Sequence, residues 1–221
     1  MASANVMPWI LDNIAHVSGK CLEIGSRRYK EHAFLGLRDG LLPSKPDLDL
    51  TGCDMQDGEN VNVVIDLCLP WADVDAAFGG QRFDTMFCIS TLEHITDIFT
   101  ASRNIAALGS PGSSLFVSVP FVFRYHGYPG DLWRFTPEAV RYLFPDYEFP
   151  EGPGCVVTTL EEEDNRMLLL SENPSTINKF LFRPKSRDDK IERKRLKAEG
   201  KPSPYSLAPA MINMLGFKKK A

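Results

Sequence analysis

The sequence predicts an α/β fold: a mostly parallel, seven-stranded sheet flanked by helices, with an antiparallel final strand. Three observations carry that expectation. Short apolar runs of strand length alternate with stretches of helical periodicity, the pattern of right-handed βαβ crossovers. The 221 residues, 43% of them hydrophobic, suffice for one substantial core. Finally, four of the runs end in acids or small polar residues, as strands do when they deliver side chains to one edge of a sheet.

Taken in order, Trp9, Ile10, Ile14 and Val17 recur at helical spacing and predict a helix lying on the core. The strands "KCLEIG", "LTGCDM", "NVVIDLC" and "FDTMFCIS" follow, and then "SSLFVSVP". Between the last two, Ile98, Ala101, Ile105 and Leu108 share one helical face. Thr136 and Pro137 read as a cap and first-turn proline opening the helix "EAVRYLF". "CVVTTLEEED" and "INKFLFRP" would supply the last two strands as an antiparallel hairpin, with the acids from Glu161 to Asp164 on the solvated surface. The domain is therefore drawn over residues 1–183. Residues 184–221 read as a basic arm, a solvated helix or a flexible terminus, expected to be dispensable for ligand affinity. Its end, "APAMINMLGFKKK", could dock on the body, on a partner or on an anionic membrane.

Composition excludes several classes. No run of eighteen apolar residues predicts a membrane span, and the N-terminus lacks the pattern of a signal peptide, so a cytoplasmic protein is expected. Five cysteines without a CxxC pair predict buried thiols in a reducing compartment. No metal site is expected, because His16, His32, His94 and His126 are far apart in sequence. From Arg183 onward twelve Lys and Arg stand against four Asp and Glu, whereas the body before it holds 13 against 25. So acidic a body does not favour nucleic acid as a partner.

Ligands of open α/β sheets bind beyond the carboxyl ends of the strands. Here the ends are Glu23-Ile24-Gly25-Ser26, Asp54-Met55, Asp66-Leu67 and Ser90-Thr91. Three acids at three adjacent strand ends suit a ligand that offers hydroxyls, amines and a cation, and they would repel phosphates. The loop after the first strand has one glycine and then Arg27 and Arg28, where a pyrophosphate site would need three glycines. A nicotinamide-dependent oxidoreductase is thereby disfavoured.

The ordered set "LEIGS", "GCDM", "VVIDL", "FDTMFCISTLEHI" and "SSLFVSVPF" resembles the class I, Rossmann-like S-adenosylmethionine-dependent methyltransferases, in the branch with Leu-Glu-His after the fourth strand. The likeness runs from about Lys20 to Phe144, and "HGYPGDLWRFTPEAV" extends it past the cofactor half. It implies S-adenosylmethionine as cofactor: Glu23, Gly25 and Ser26 towards methionine and ribose, Asp54 on the ribose hydroxyls, Asp66 on the adenine amino group. Met55 and Leu67 would sandwich the ring, and Ser90 would complete the site. Arg27 departs from the pattern, where a second glycine is usual.

Methyl transfer to oxygen or nitrogen of a small-molecule acceptor, a specialised metabolite or sugar-like compound, is the implied reaction. His126 and His94 are the candidate catalytic residues, and Tyr125, Tyr128, Asp131, Trp133 and Arg134 the candidate acceptor contacts. Trp133 could equally be core, Arg134 could pair with a carboxylate of the body, and Glu93 reads as a helix-start residue. A non-catalytic cofactor-binding protein of the same fold is the alternative, and the chain could be a monomer or a homo-oligomer.

Overall fold

The chain enters its sheet at Lys20, after α1 (Val6–Asp12) and a 3-10 turn (Ile14–His16) have laid Trp9, Ile10 and Val17 against one sheet face. This is a computed structural model, describing residues 6–28, 36–123, 125–127, 130–159, 167–169, 187–199 and 210–220. The Trp9 indole N–H donates to the Gly154 carbonyl at 3.2 Å, and the Asn13 amide donates to Trp9 O at 2.9 Å. The opening helix is thereby fastened to the far side of the domain.

The sheet has the order β3-β2-β1-β4-β5-β9-β7-β8, with β6 pairing β9. The strands are β1 (Lys20–Ile24), β2 (Asp49–Asp54), β3 (Val63–Val64), β4 (Phe83–Ile89), β5 (Gly109–Val122), β6 (Tyr147–Glu148), β7 (Cys155–Thr159), β8 (Met167–Leu169) and β9 (Ala210–Lys218). The first five are parallel, β9 is antiparallel to both β5 and β7, and β8 is antiparallel to β7. Among the described residues the sheet has nine strands, three of which, β3, β6 and β8, are short pieces of two or three residues. Strand β3 stops early because Ile65 N makes the last bond to β2, at Asp54 O, and the Asp66 carboxylate then captures Cys68 N at 2.8 Å and turns the chain.

Alternation along the strands loads both faces. Leu22, Ile24, Met86, Cys88, Leu115 and Val117 meet α3 (Trp71–Ala77), α4 (Ile98–Leu108) and α5 (Pro137–Leu143) on one side. Cys21, Phe87 and Phe116 meet α1 and α2 (Leu37–Leu41) on the other. The helices expected over 98–108 and after Thr136 stand as read. Asp97 caps α4 by accepting from Thr100 N, and Thr136 caps α5 by accepting from Ala139 N, with Pro137 in its first turn. Among the described residues no helix is long and apolar enough to cross a membrane.

The expectation for the C-terminus fails. Residues 210–218 are no arm: β9 lies between β5 and β7, with Ala210, Met211, Ile212, Met214 and Leu215 buried. Of the two strands expected to end the domain, the first is β7, and residues 177–184 lie outside the described residues. The acids 161–164 lie outside them too. Of the arm, α6 (Arg187–Ala198) matches a solvated helix, with Arg195 pairing Glu192 at 2.9 Å and Glu199 at 3.6 Å. The Lys218 ammonium, read as part of a basic tail, donates to Ala106 O at 2.8 Å and Gly109 O at 2.7 Å, and so satisfies carbonyls at the C-terminus of α4.

Candidate active site

The turn after β1 is built around Gly25, whose φ of +74° lies in the left-handed region. Gly25 N and Ser26 N both donate to Cys53 O, at 2.9 and 3.1 Å, and tie this turn to the end of β2. A Cβ on Gly25 would stand 2.4 Å from Thr91 Oγ1. The Thr91 hydroxyl lies 3.0 Å from both Ile24 O and Ile89 O, so it staples the ends of β1 and β4. The glycine that looks like a phosphate-loop residue is therefore required by the close approach of Thr91. Next to Thr91, Ser90 holds φ at +49°, unusual for a side-chain-bearing residue and of the kind of backbone strain that gathers at functional sites.

The two arginines turn towards the loop after β2. Arg27 bonds Gln56 and packs over Gly58, and Arg28 pairs with Glu59 at 3.2 Å and Asp39 at 3.4 Å. Ser26, 5% exposed, donates through its hydroxyl to Asn60 O at 3.0 Å. Ser26 thus braces the loop from beneath.

Asp54 and Asp66 end neighbouring strands in the same local geometry. Each accepts the backbone N–H two residues on through Oδ1, Asp54 from Gln56 at 2.9 Å and Asp66 from Cys68 at 2.8 Å. Each carboxylate is thereby oriented by its own loop. The loop that carries Asp66 is clamped by α4, where the buried Asn104 amide donates to Leu67 O at 2.8 Å and Leu69 O at 2.9 Å. Sequence reasoning missed Asn104, a polar residue on an otherwise apolar helical stretch. Of the two residues expected to sandwich the ring, Met55 is 64% exposed and Leu67 is buried against the core.

Glu23 lies on β1 on the same face as Cys21, beside Phe87 of β4 and Gly52 of β2. Burial pushes its carboxyl up to about 8, opposed by attraction to the Arg38 guanidinium. Three acids do sit at the ends of the adjacent strands β1, β2 and β3, as the sequence implied.

The second half of the site lies beyond β4 and β5. Glu93 is 2% exposed in a 3-10 turn (Leu92–His94), and its Oε2 has no hydrogen-bond partner. Burial raises its carboxyl to about 7. His94 Nδ1 bonds the Gly130 carbonyl; a carbonyl only accepts, so Nδ1 carries the proton and Nε2 faces Glu93 Oε1 at 4.0 Å. Burial also lowers the His94 pKa and favours the neutral ring. The rings of His94 and His126 are 5.1 Å apart, centre to centre. Distance in sequence had argued against a metal site, and here it is no distance in space. Glu93, read only as a helix-start residue, is a part of the site that sequence reasoning missed.

His126 is positioned by Asp131, whose side chain is wholly buried. Its backbone N donates to Asp131 Oδ2 at 3.0 Å, and Nδ1 stands 3.0 Å from that oxygen, out of hydrogen-bond alignment. Arg134 grips Asp131 with both guanidinium nitrogens and also reaches Trp133 O and Phe123 O. That grip, with smaller help from His126, holds the Asp131 carboxyl far below the ordinary range. Arg134 and Asp131 therefore frame the loop. Trp133 anchors the same loop by donating to Ile95 O at 2.7 Å, as Leu132 N does to Glu93 O at 2.8 Å. Tyr125 is 78% exposed, and Tyr128 lies outside the described residues.

No family model and no curated protein matches the chain. Its structure is similar to that of a S-adenosylmethionine-dependent methyltransferase from Archaeoglobus fulgidus, with a TM-score of 0.53 and 12% identity over 96% of this chain and 93% of that one. It is also similar to the 1,6-didemethyltoxoflavin N1-methyltransferase of Burkholderia thailandensis, solved with 1,6-didemethyltoxoflavin and S-adenosylhomocysteine (TM-score 0.51, 14% identity, 99% and 80% covered). The cyclase SpnF is similar to the same degree (TM-score 0.51, 12% identity, 97% and 79% covered). The chain thus has the Rossmann-like fold of the class I S-adenosylmethionine-dependent methyltransferases.

Proposed function

We propose that this protein transfers a methyl group from S-adenosylmethionine to an oxygen or nitrogen of a small-molecule acceptor. One observation carries the reading: two outward carboxylates, Asp54 and Asp66, and a buried one, Glu23, end three adjacent strands around a single-glycine turn. The polar cluster Glu93, His94 and His126 follows at the next two strand ends. Asp54 would accept from the ribose hydroxyls, Asp66 from the adenine amino group, and Glu23 would face the methionine end, with Met55 over the ring. S-adenosylmethionine, when bound, supplies an already activated methyl group. The protein's part is alignment of the acceptor and exclusion of water, effects that contribute roughly 7–11 kcal/mol in favourable cases. His94 or His126 would take up the acceptor's proton. The free, mostly buried cysteines agree with a reducing, cytoplasmic setting.

The test is calorimetric titration with S-adenosylhomocysteine. Asp54→Asn should weaken binding about 10- to 150-fold, the equivalent of one charge-assisted hydrogen bond of roughly 1.5–3 kcal/mol. NAD should give no heat. Wild-type affinity retained in Asp54→Asn, or tight NAD binding, overturns the proposal. The likeness to SpnF, named for a cyclase, keeps a second reading in view, a cofactor-binding protein that transfers no methyl group. In that case the nucleoside binds, but a methyl-labelled donor labels no acceptor pool.

A further inference from the structure

We propose that Glu93, His94 and His126 bind a divalent first-row transition ion, of the zinc or ferrous kind, at the acceptor end of the sheet. One ligand atom from each residue lies within 4.8 Å of the other two. Two imidazoles and a carboxylate form a donor set that suits zinc, iron or manganese; magnesium and calcium prefer oxygen ligands throughout.

Three independent features of the cluster point to a cation. Glu93 is almost wholly buried, yet Oε2 has no partner, and a carboxylate oxygen is costly to bury unpaired. A cation between Glu93 and the two rings would satisfy it. His94 is held in the tautomer a metal requires: Nδ1–H is used on the Gly130 carbonyl, which leaves the Nε2 lone pair facing Glu93. His126 Nδ1 stands 3.0 Å from a buried aspartate, Asp131, which Arg134 fixes from behind, and a turn of the ring would align the two. A carboxylate behind an imidazole is the usual outer support of a metal-bound histidine.

The ligands come from the loops after two neighbouring strands, and the Leu132 N to Glu93 O bond joins those loops. With zinc–nitrogen bonds of about 2.0–2.1 Å, ligand atoms in a tetrahedral site stand roughly 3.3 Å apart. Loading would therefore draw the three side chains together by about 1 Å, within the reach of side-chain rotation.

Three protein ligands leave at least one coordination position open, as at catalytic sites. We assign that position to the acceptor heteroatom. Bound to the ion, an acceptor O–H or N–H loses its proton to water more readily. The heteroatom's lone pair then forms the new bond to the methyl carbon, and the sulfur–methyl bond breaks with its electron pair going to sulfur. One proton is released per turnover. This role rests on the methyl-transfer reading, whereas ion binding itself does not.

The experiment uses full-length protein stripped with a chelator and free of sulfur nucleosides, titrated with Co²⁺ and then Zn²⁺. One equivalent of Co²⁺ should produce visible d–d absorption that one equivalent of Zn²⁺ abolishes. Glu93→Gln and His126→Ala should each weaken Zn²⁺ binding by more than about 100-fold, and the supporting Asp131→Asn by about 10- to 100-fold. His16→Ala, at an exposed histidine on another part of the surface, should leave it unchanged. Circular dichroism checks that each variant is folded, and the Co²⁺ spectrum of the wild type needs no variant. Absence of that spectrum in folded wild type, or unchanged Zn²⁺ affinity in both folded Glu93→Gln and His126→Ala, overturns the ion site. S-adenosylhomocysteine titration of the same stripped protein separates the two ideas. Nucleoside heat without Co²⁺ absorption sinks the ion and leaves methyl transfer with a histidine base. Co²⁺ absorption without nucleoside heat keeps the ion and sinks its role in methyl transfer.

Discussion

Glu23 shows how burial sets the chemistry of a single residue. Its carboxyl belongs near 4.5 and is pushed up to about 8 because burial disfavours the charge more than Arg38 favours it. The sign of the stability effect follows. Between about pH 4.5 and 8 the folded state keeps a proton that the unfolded chain has released. Stability therefore falls as pH rises through this window and levels off above it. Glu23→Gln removes the titration. In urea melts the variant should match wild type near pH 4.5 and exceed it progressively towards pH 8, by up to about 5 kcal/mol as an upper limit. A wild-type stability that rises over that window would contradict the burial of this carboxylate. Gly25 teaches a related lesson at the same scale. "EIGS" was legible as a ligand turn, but the reason for its glycine, the Thr91 side chain arriving from the end of β4, was not, since Thr91 is 66 positions away in the chain.

Among the elements, β9 decides most. Ser118 of β5 donates to Asn213 Oδ1 at 2.7 Å, and the Asn213 amide donates to Thr158 of β7 at 2.8 Å, all three fully buried. This polar chain runs straight across three strands and fixes their register, because a slip by one residue would turn Asn213 to the opposite face. Asn213→Ala leaves two buried hydroxyls short of partners and opens a small void. It should lower the stability to urea by about 2–4 kcal/mol, on the basis of roughly 1–3 kcal/mol for each unsatisfied group. Asn213→Asp should be at least as harmful, because a charge would be buried there. A loss below about 0.5 kcal/mol in both would show that the strands are held in register by other contacts. The sequence pattern hid this strand for a physical reason. Buried on both faces, "AMINMLGFK" has no alternation to reveal it, and the charged α6 upstream makes the whole end look solvated.

At the scale of the molecule, the last strand closes a domain whose first residues are already fastened to the same region. Leu215 pairs with Phe116 in the sheet and joins the cluster under α1 that contains Trp9. Removal of residues 210–221 would strip β5 and β7 of their shared neighbour and uncover buried surface on both faces. Such a truncation should give no cooperative thermal transition and no heat with S-adenosylhomocysteine. Full cofactor affinity after truncation would mean that the parallel half folds alone and would restore the reading of the C-terminus as an arm. The loops after β4 and β5 meet because those two strands pair and Leu132 N bonds Glu93 O, so the cluster they carry exists only in the folded molecule.

The sequence by itself determined the parallel half: β1 to β5, the cap at Thr136, and the acids at the strand ends. Each of these is written in local periodicity, or in the residue that stops an element, and needs no distant partner to be recognised. Tertiary structure alone decided that Ala210–Lys218 is a central strand, that Ser26 bonds Asn60, that Arg134 pairs with Asp131, and that Glu93, His94 and His126 meet. Those outcomes depend on pairings between residues tens of positions apart, where backbone hydrogen bonds and burial choose the neighbour and no local pattern records the choice.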